Sequence, residues 1–367
     1  MLLSVAEMDL LKIIGVYREC PTTHYQRAEI VALLSHRLVR INKARTSYRL
    51  TWEGAKILTS ACVQAEVDKN PRSEGRVLER RLQAVEIALF LNLLEANIFL
   101  EKVSKEVTNP GFLSTNVIRS LKSSNVLGIS KFNGVIYTKS MTYITYNVSN
   151  EDELIFPQID EEVFRREVIR ANNPVKILYM KSATLDEMLY SLLNNVCKNG
   201  NQFSYYSAID EFSSPVCLVP LNACGQAQLQ IMLTENYGEK VAQYLLKSEY
   251  VKTETPWADA IYAATGEYLL VFFDFDIKRL RKAMSVTDKL LVLVLSEQET
   301  ALDLLLDRKS ITKFTISREE VFSVLGIKPP ECKNRKPFLT ETGDGIIAEE
   351  ILQKSPPRKG GKFENNQ

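Results

Sequence analysis

Between Tyr268 and Leu280 the chain reads YLLVFFDFDIKRL, an apolar run that ends in Asp274 and Asp276, with Lys278 two residues later. If the run is a strand, its two-residue period puts both carboxylates on one face, and Lys278 joins them if the strand continues. Upstream, Asp259 lies in TPWADAIY, just before the turn sequence AATGE, so a hairpin would bring it opposite. Two carboxylates suit a hard cation such as Mg²⁺, and a neighbouring lysine can orient or activate an attacking water. That chemistry would use Asp259, Asp276 and Lys278 for catalysis and Asp259, Asp274 and Asp276 for the metal. On the alternative reading, Asp274 and Asp276 end a buried strand in solvent and Lys278 lies on the surface of the next helix. Asp274 is one carboxylate more than the pattern needs, and Pro256 is separated from Asp259 by Trp257-Ala258. Both features favour a domain that keeps the layout without the activity, so no cofactor is expected unless the site is active, when Mg²⁺ would be.

A second set of residues lies near the N-terminus. From His24 to Lys56 there are seven cations, Arg27, Arg37, Arg40, Lys43, Arg45, Arg49 and Lys56, against Glu29 and Glu53. Clustered cations meet phosphates, and residues at a helix start such as Thr23, Tyr25 and Gln26 can reach base edges. The alternative is an ordinary solvated face. The aromatic run FSYYSAIDEF at residues 203–212 could stack on bases, although core packing accounts for it as well. Gly225 follows a strand and opens a helix, but a single glycine makes no phosphate loop.

The elements that must position these residues follow from periodicity and turn chemistry. Val5–Arg18 and a stretch ending near Ser35 have helical patterns. LVRINKARTSYRL then reads as a hairpin with its tip at Asn42–Ser47, and Thr51 caps a helix starting near Glu53. Residues 78–124 read as helical, with a break at Asn109-Pro110-Gly111. Beyond them GVIYTKSMTYITYN reads as a hairpin turning at Lys139-Ser140. Next come a helix over Glu161–Ala171, the strand VKILYM, a helix over Thr184–Asn195, the strand SPVCLVPL and one helix over Ala227–Leu246. After the hairpin that carries Asp259 come a helix over Ile277–Met284, the strand KLLVLVL, a helix over Glu297–Leu306 and the strand ITKFTIS. Continuous apolar strands such as KLLVLVL imply a sheet covered on both faces. No internal repeat is visible.

The expected architecture is α/β (α+β overall): a winged helix over 1–66, a helical connector over 67–125, a mixed-sheet α/β domain over 126–327 and a Pro/Lys-rich tail over 328–367. Composition narrows the function classes. The 367 residues carry a formal charge of only +1, so any nucleic-acid surface must be local. The two histidines and six scattered cysteines without a CxxC leave zinc sites and histidine catalysis without support. No run approaches the ~20 apolar residues of a membrane span, and a cytoplasmic protein with reduced thiols is expected.

The layout around Asp259, Asp276 and Lys278 resembles the PD-(D/E)xK, restriction-endonuclease-like core. The order of parts is similar to the replication-relaxation family of plasmids and integrative elements. That resemblance rests on Arg49-Leu50-Thr51-Trp52-Glu53-Gly54, on Ser130–Thr138 (SKFNGVIYT) with Thr142–Val148 (TYITYNV), and on the later DAIY and FDFD segments. It implies a winged helix fused to a nuclease-like α/β domain. It also implies a DNA-associated accessory role in a mobile element, with duplex DNA as partner and a protein of a replication or transfer complex as a further candidate. A Mg²⁺-dependent nuclease and a protein-assembly module are the alternatives.

Overall fold

The computed structural model describes residues 3–22, 27–42, 45–61, 67, 75–100, 110–115, 117–118, 132–148, 173–194, 205–209, 212–306 and 311–328. The expected helix over Glu161–Ala171, the Pro/Lys-rich tail beyond Lys328 and residues 203–204 and 210–211 of FSYYSAIDEF lie outside them. The chain is a mixed α/β protein with three open sheets. It falls into two compact units, one within Met1–Ser73 and one within Glu74–Glu331.

In the first unit α1 (Val5–Tyr17) is followed by β1 (Cys20–Pro21), α2 (Arg27–Ser35), β2 (Val39–Ile41), β3 (Ser47–Leu50) and α3 (Trp52–Ser60). Ser4 and Glu7 form a capping box at the start of α1, and Thr51 caps α3 by accepting from the Gly54 N–H. The sheet has the order β1-β3-β2, all antiparallel, so the first short strand joins the hairpin at β3. Leu11, Ile14, Leu33, Tyr48 and Leu58 are buried in this unit.

The second unit holds two five-stranded sheets. α4 (Arg76–Asn92) precedes the first, built from β4 (Gly111–Ser114), β5 (Gly134–Tyr137), β6 (Thr142–Asn147), β7 (Val175–Lys181) and β8 (Val216–Pro220). α5 (Leu185–Asn194) and the short α6 (Tyr205–Ala208) lie between β7 and β8, and α7 (Ala223–Met232) follows. α8 (Tyr237–Leu246) precedes the second sheet, built from β9 (Tyr250–Val251), β10 (Ala260–Tyr262), β11 (Glu267–Val271), β12 (Leu290–Leu295) and β13 (Ile311–Ile316). α9 (Ile277–Val286) joins β11 to β12, α10 (Glu299–Asp303) joins β12 to β13, and α11 (Arg318–Leu325) closes the run.

These halves repeat one another. In each, the strands lie side by side in chain order, the first two pairings antiparallel and the last two parallel. The match extends to single hydrogen bonds. Asn133, just before β5, donates its N–H to Thr145, and its Oδ1 accepts the Asn147 N–H at 2.6 Å. Asp259, just before β10, donates its N–H to Leu269, and its Oδ2 accepts the Val271 N–H at 2.8 Å. The repeat is invisible in the sequence because its halves share hydrogen-bond topology, which a backbone can satisfy with many side chains.

Several expectations change. The stretch read as a helical connector holds α4 but also supplies β4 to the first sheet, with Gly111–Ser114 a strand paired to β5. The single helix expected over Ala227–Leu246 is two, broken where Asn236 adopts a left-handed conformation with φ 54°. One apolar layer joins the sheets, with Ile177 and Leu218 packed among Leu270, Phe272, Val292 and Val294. The opposite face of the second sheet is covered by Ile231, Val241 and Phe322 of α7, α8 and α11. That two-sided cover is what the continuous apolar strands imply.

Candidate functional site

β11 ends at Val271, three residues before the first aspartate, so the pleat does not align the carboxylates as an uninterrupted strand would. The chain turns instead. Phe275 takes a left-handed φ of 48°, with its ring in the core against Phe272, and Asp276 becomes the N-cap of α9. The Asp276 Oδ1 accepts the Arg279 N–H at 3.1 Å, and the Asp276 N–H donates to Asp274 Oδ1 at 3.3 Å. The carboxylates therefore converge through a capped turn, with both residues buried.

Their partners come from distant segments. Lys176 of β7 reaches Asp274 Oδ2 at 2.7 Å and Asp276 Oδ2 at 3.9 Å. Arg279 ion-pairs with Asp259 and comes within 3.9 Å of Asp274, and it also donates to the Val271 and Trp257 carbonyls. Tyr237 of α8 also faces Asp274 and favours its ionised form. Cys217 of β8 forms an antiparallel bridge with Asp276, which places this turn on the outer edge of the first sheet.

The electrostatics follow from burial and pairing. Burial alone would raise the Asp274 pKa, but Lys176 and Arg279 outweigh it and hold the carboxyl down at about 2. Burial also opposes the charge on Lys176, yet Asp274 keeps its pKa well above the usual lysine range. At Asp276 burial and the Asp274 charge act together and push the pKa up to about 6. Asp259 is raised, because burial outweighs Arg279 and the Val271 N–H. Burial likewise drives the Cys217 thiol well up, so it stays protonated. Below pH ~6, where Asp276 is protonated, Lys176 and Arg279 face the Asp259 and Asp274 carboxylates, and above it the Asp276 carboxylate adds a further negative charge.

The structure brings Asp259, Asp274 and Asp276 into one network and leaves Lys278 out of it. The Lys278 ammonium donates to the Phe212 carbonyl, because Lys278 lies in the first turn of α9 rather than on a continued strand. Among the described residues, Cys217, Asp274 and Asp276 are the group whose ligating atoms lie close enough for a metal, within 4.8 Å of one another. They do not fit Mg²⁺, which needs oxygen ligands and keeps several waters. Here one of the three is a protonated thiol, and both carboxylates already face Lys176. Sequence reasoning misses Lys176, Cys217, Tyr237 and Arg279. The one readable signal is Lys176, a charge inside the apolar strand VKILYM.

The N-terminal cations also divide. Arg40 is exposed on β2, Arg45 is exposed at the hairpin tip with φ 57°, and Arg37 is exposed just after α2. Arg27 opens α2, while Tyr25 and Lys43 lie outside the described residues. Arg49 is corrected outright: it is buried, 2.6 Å from Glu19 Oε1, and Glu19 also accepts from the Ser47 hydroxyl at 2.6 Å. On β3 it sits directly across from Arg40, and its partner Glu19 immediately precedes β1, the strand on the other side of β3. Lys56 pairs with Glu53 at 3.0 Å on the exposed surface of α3. Among the described residues no helix is long and apolar enough to cross a membrane. No family model, curated protein or solved structure matches the chain.

Proposed function

We infer that the protein binds duplex DNA through its N-terminal unit, as an accessory or regulatory protein of a mobile element. In this reading the N-terminal unit is a winged helix: α2 enters the major groove, and the β2–β3 hairpin is the wing. The observation that carries it is the helix–strand–helix–hairpin order with sheet order β1-β3-β2, together with exposed Arg40 and Arg45 on that hairpin. Winged and related helix-turn-helix modules place a helix in the groove and set cations against the backbone. The order of parts supports the replication-relaxation reading, with the α/β unit as a nuclease-like scaffold.

That scaffold is read as non-catalytic. Arg279 occupies Asp259, Lys176 occupies Asp274 and comes within 3.9 Å of Asp276, and Lys278 is tied to Phe212, so these carboxylates are engaged by the chain's own cations rather than left open to a metal. Supercoiled plasmid incubated with the protein and Mg²⁺ should stay intact. Nicking that disappears in Asp276→Ala would overturn this part of the reading. For binding, Arg40→Ala or Arg45→Ala should weaken duplex affinity for all sequences alike and lower the salt slope by about one unit for each phosphate no longer neutralised. A stable protein partner together with no DNA retardation at low salt would favour an assembly module instead.

A further inference from the structure

The geometry points to a second copy of this chain as the partner of the outer edge of β13, paired antiparallel across a two-fold axis centred on Phe314. β13 is the last strand of its sheet, and among the described residues no strand pairs with its far side. Its sequence, ITKFTI, is rich in β-branched and aromatic residues and has no Gly or Pro to break pairing. Thr312 and Thr315 are exposed, and Phe314 keeps 47% of its surface open to solvent. The charge that would guard such an edge is already engaged, because Lys313 is ion-paired with Asp303 and lies 3.5 Å from Glu299.

The internal repeat shows how this fold treats that edge. β8 holds the place in the first sheet that β13 holds in the second, and its outer side receives an antiparallel neighbour where Cys217 meets Asp276. β13 offers the same kind of edge without that cover. In an antiparallel pair, opposed residues point to the same face, so a two-fold axis normal to the sheet must pass through a residue pair. Centring it on Lys313 would set like charges against each other. Centring it on Phe314 stacks the two phenyl rings, places Lys313 opposite Thr315 and places Thr312 opposite Ile316 of the second copy. An edge of this length is short for an obligate interface, so the dimer should be concentration-dependent.

Sedimentation equilibrium on the full chain across the micromolar range tests this. The weight-average mass should rise toward twice the chain mass, and Phe314→Lys, which sets two ammonium groups face to face, should hold it at one chain mass. Circular dichroism should show that variant folded, since the ring contributes little to the core. Oxidative cross-linking supplies the register: Phe314→Cys should give a disulfide dimer well above wild-type background, and Thr312→Cys should not. A chain that stays monomeric throughout, whether its edge is left open or is taken by its own C-terminal segment or another protein, overturns the proposal. So does a dimer that Phe314→Lys leaves intact.

Discussion

Asp276 is held in two ways at once: its carboxylate caps α9, yet it lies buried beside the negative Asp274. Its folded pKa of about 6 stands above the ordinary 3.8, so between those values the folded chain holds a proton that the unfolded chain has released. Stability must then fall as pH rises from about 4 to about 6 and stay lower above that window. Asp274 works in the opposite sense. Its pKa of about 2 contributes stability above pH ~4 that is lost as pH falls toward 2. Asp276→Asn keeps an oxygen for the Arg279 N–H and removes the repelled charge. Thermal melts should show it more stable than wild type at pH 7.5, with the decline between pH 4.5 and 6.5 reduced; parallel melting curves would refute the assignment. Lys176→Met removes the main partner of a fully buried carboxylate, and urea unfolding should register a loss of about 3–5 kcal/mol.

At the scale of elements, much is legible in the sequence and some is not. Strands read from apolar runs, such as KLLVLVL and VKILYM, fall where expected, because burial on both faces leaves a signature that local context cannot hide. Thr51 is readable as a cap for a similar reason, since a side-chain oxygen before a helix has one obvious use. The end of β11 is misleading because aromatic Phe272 and Phe273 continue the strand-like composition, while the ladder's last bond is from the Phe272 N–H to Leu293 and the backbone turns at Phe273. Arg49 looks like a phosphate contact because no local pattern announces Glu19, thirty residues away, as its partner. That difference is measurable. Arg49→Ala should destabilise the first unit by about 3–5 kcal/mol, by stranding the buried Glu19 carboxylate, whereas Arg40→Ala should leave melting unchanged. Gly225 has a role that the sequence does not disclose: a Cβ there would overlap the Pro220 carbonyl oxygen, so α7 can pack on β8 only with glycine. Gly225→Ala should cost about 1–3 kcal/mol or more by urea unfolding, with an unchanged midpoint speaking against that close approach.

At the scale of the whole molecule, the two units are built differently. The first carries exposed arginines on a hairpin beside a short helix. The second is a duplicated sheet module whose buried charges are paired with one another. The near-zero net charge fits that division, since a local basic surface needs no excess over the chain as a whole. The most direct measurement is fluorescence anisotropy of a labelled duplex with the full chain, Arg40→Ala and Arg45→Ala, at several salt concentrations and with folding verified by melting. Wild-type binding should weaken steeply with salt, and each variant should bind more weakly with a shallower salt slope. No binding at low salt, or variants indistinguishable from wild type, would contradict a DNA-binding N-terminal unit.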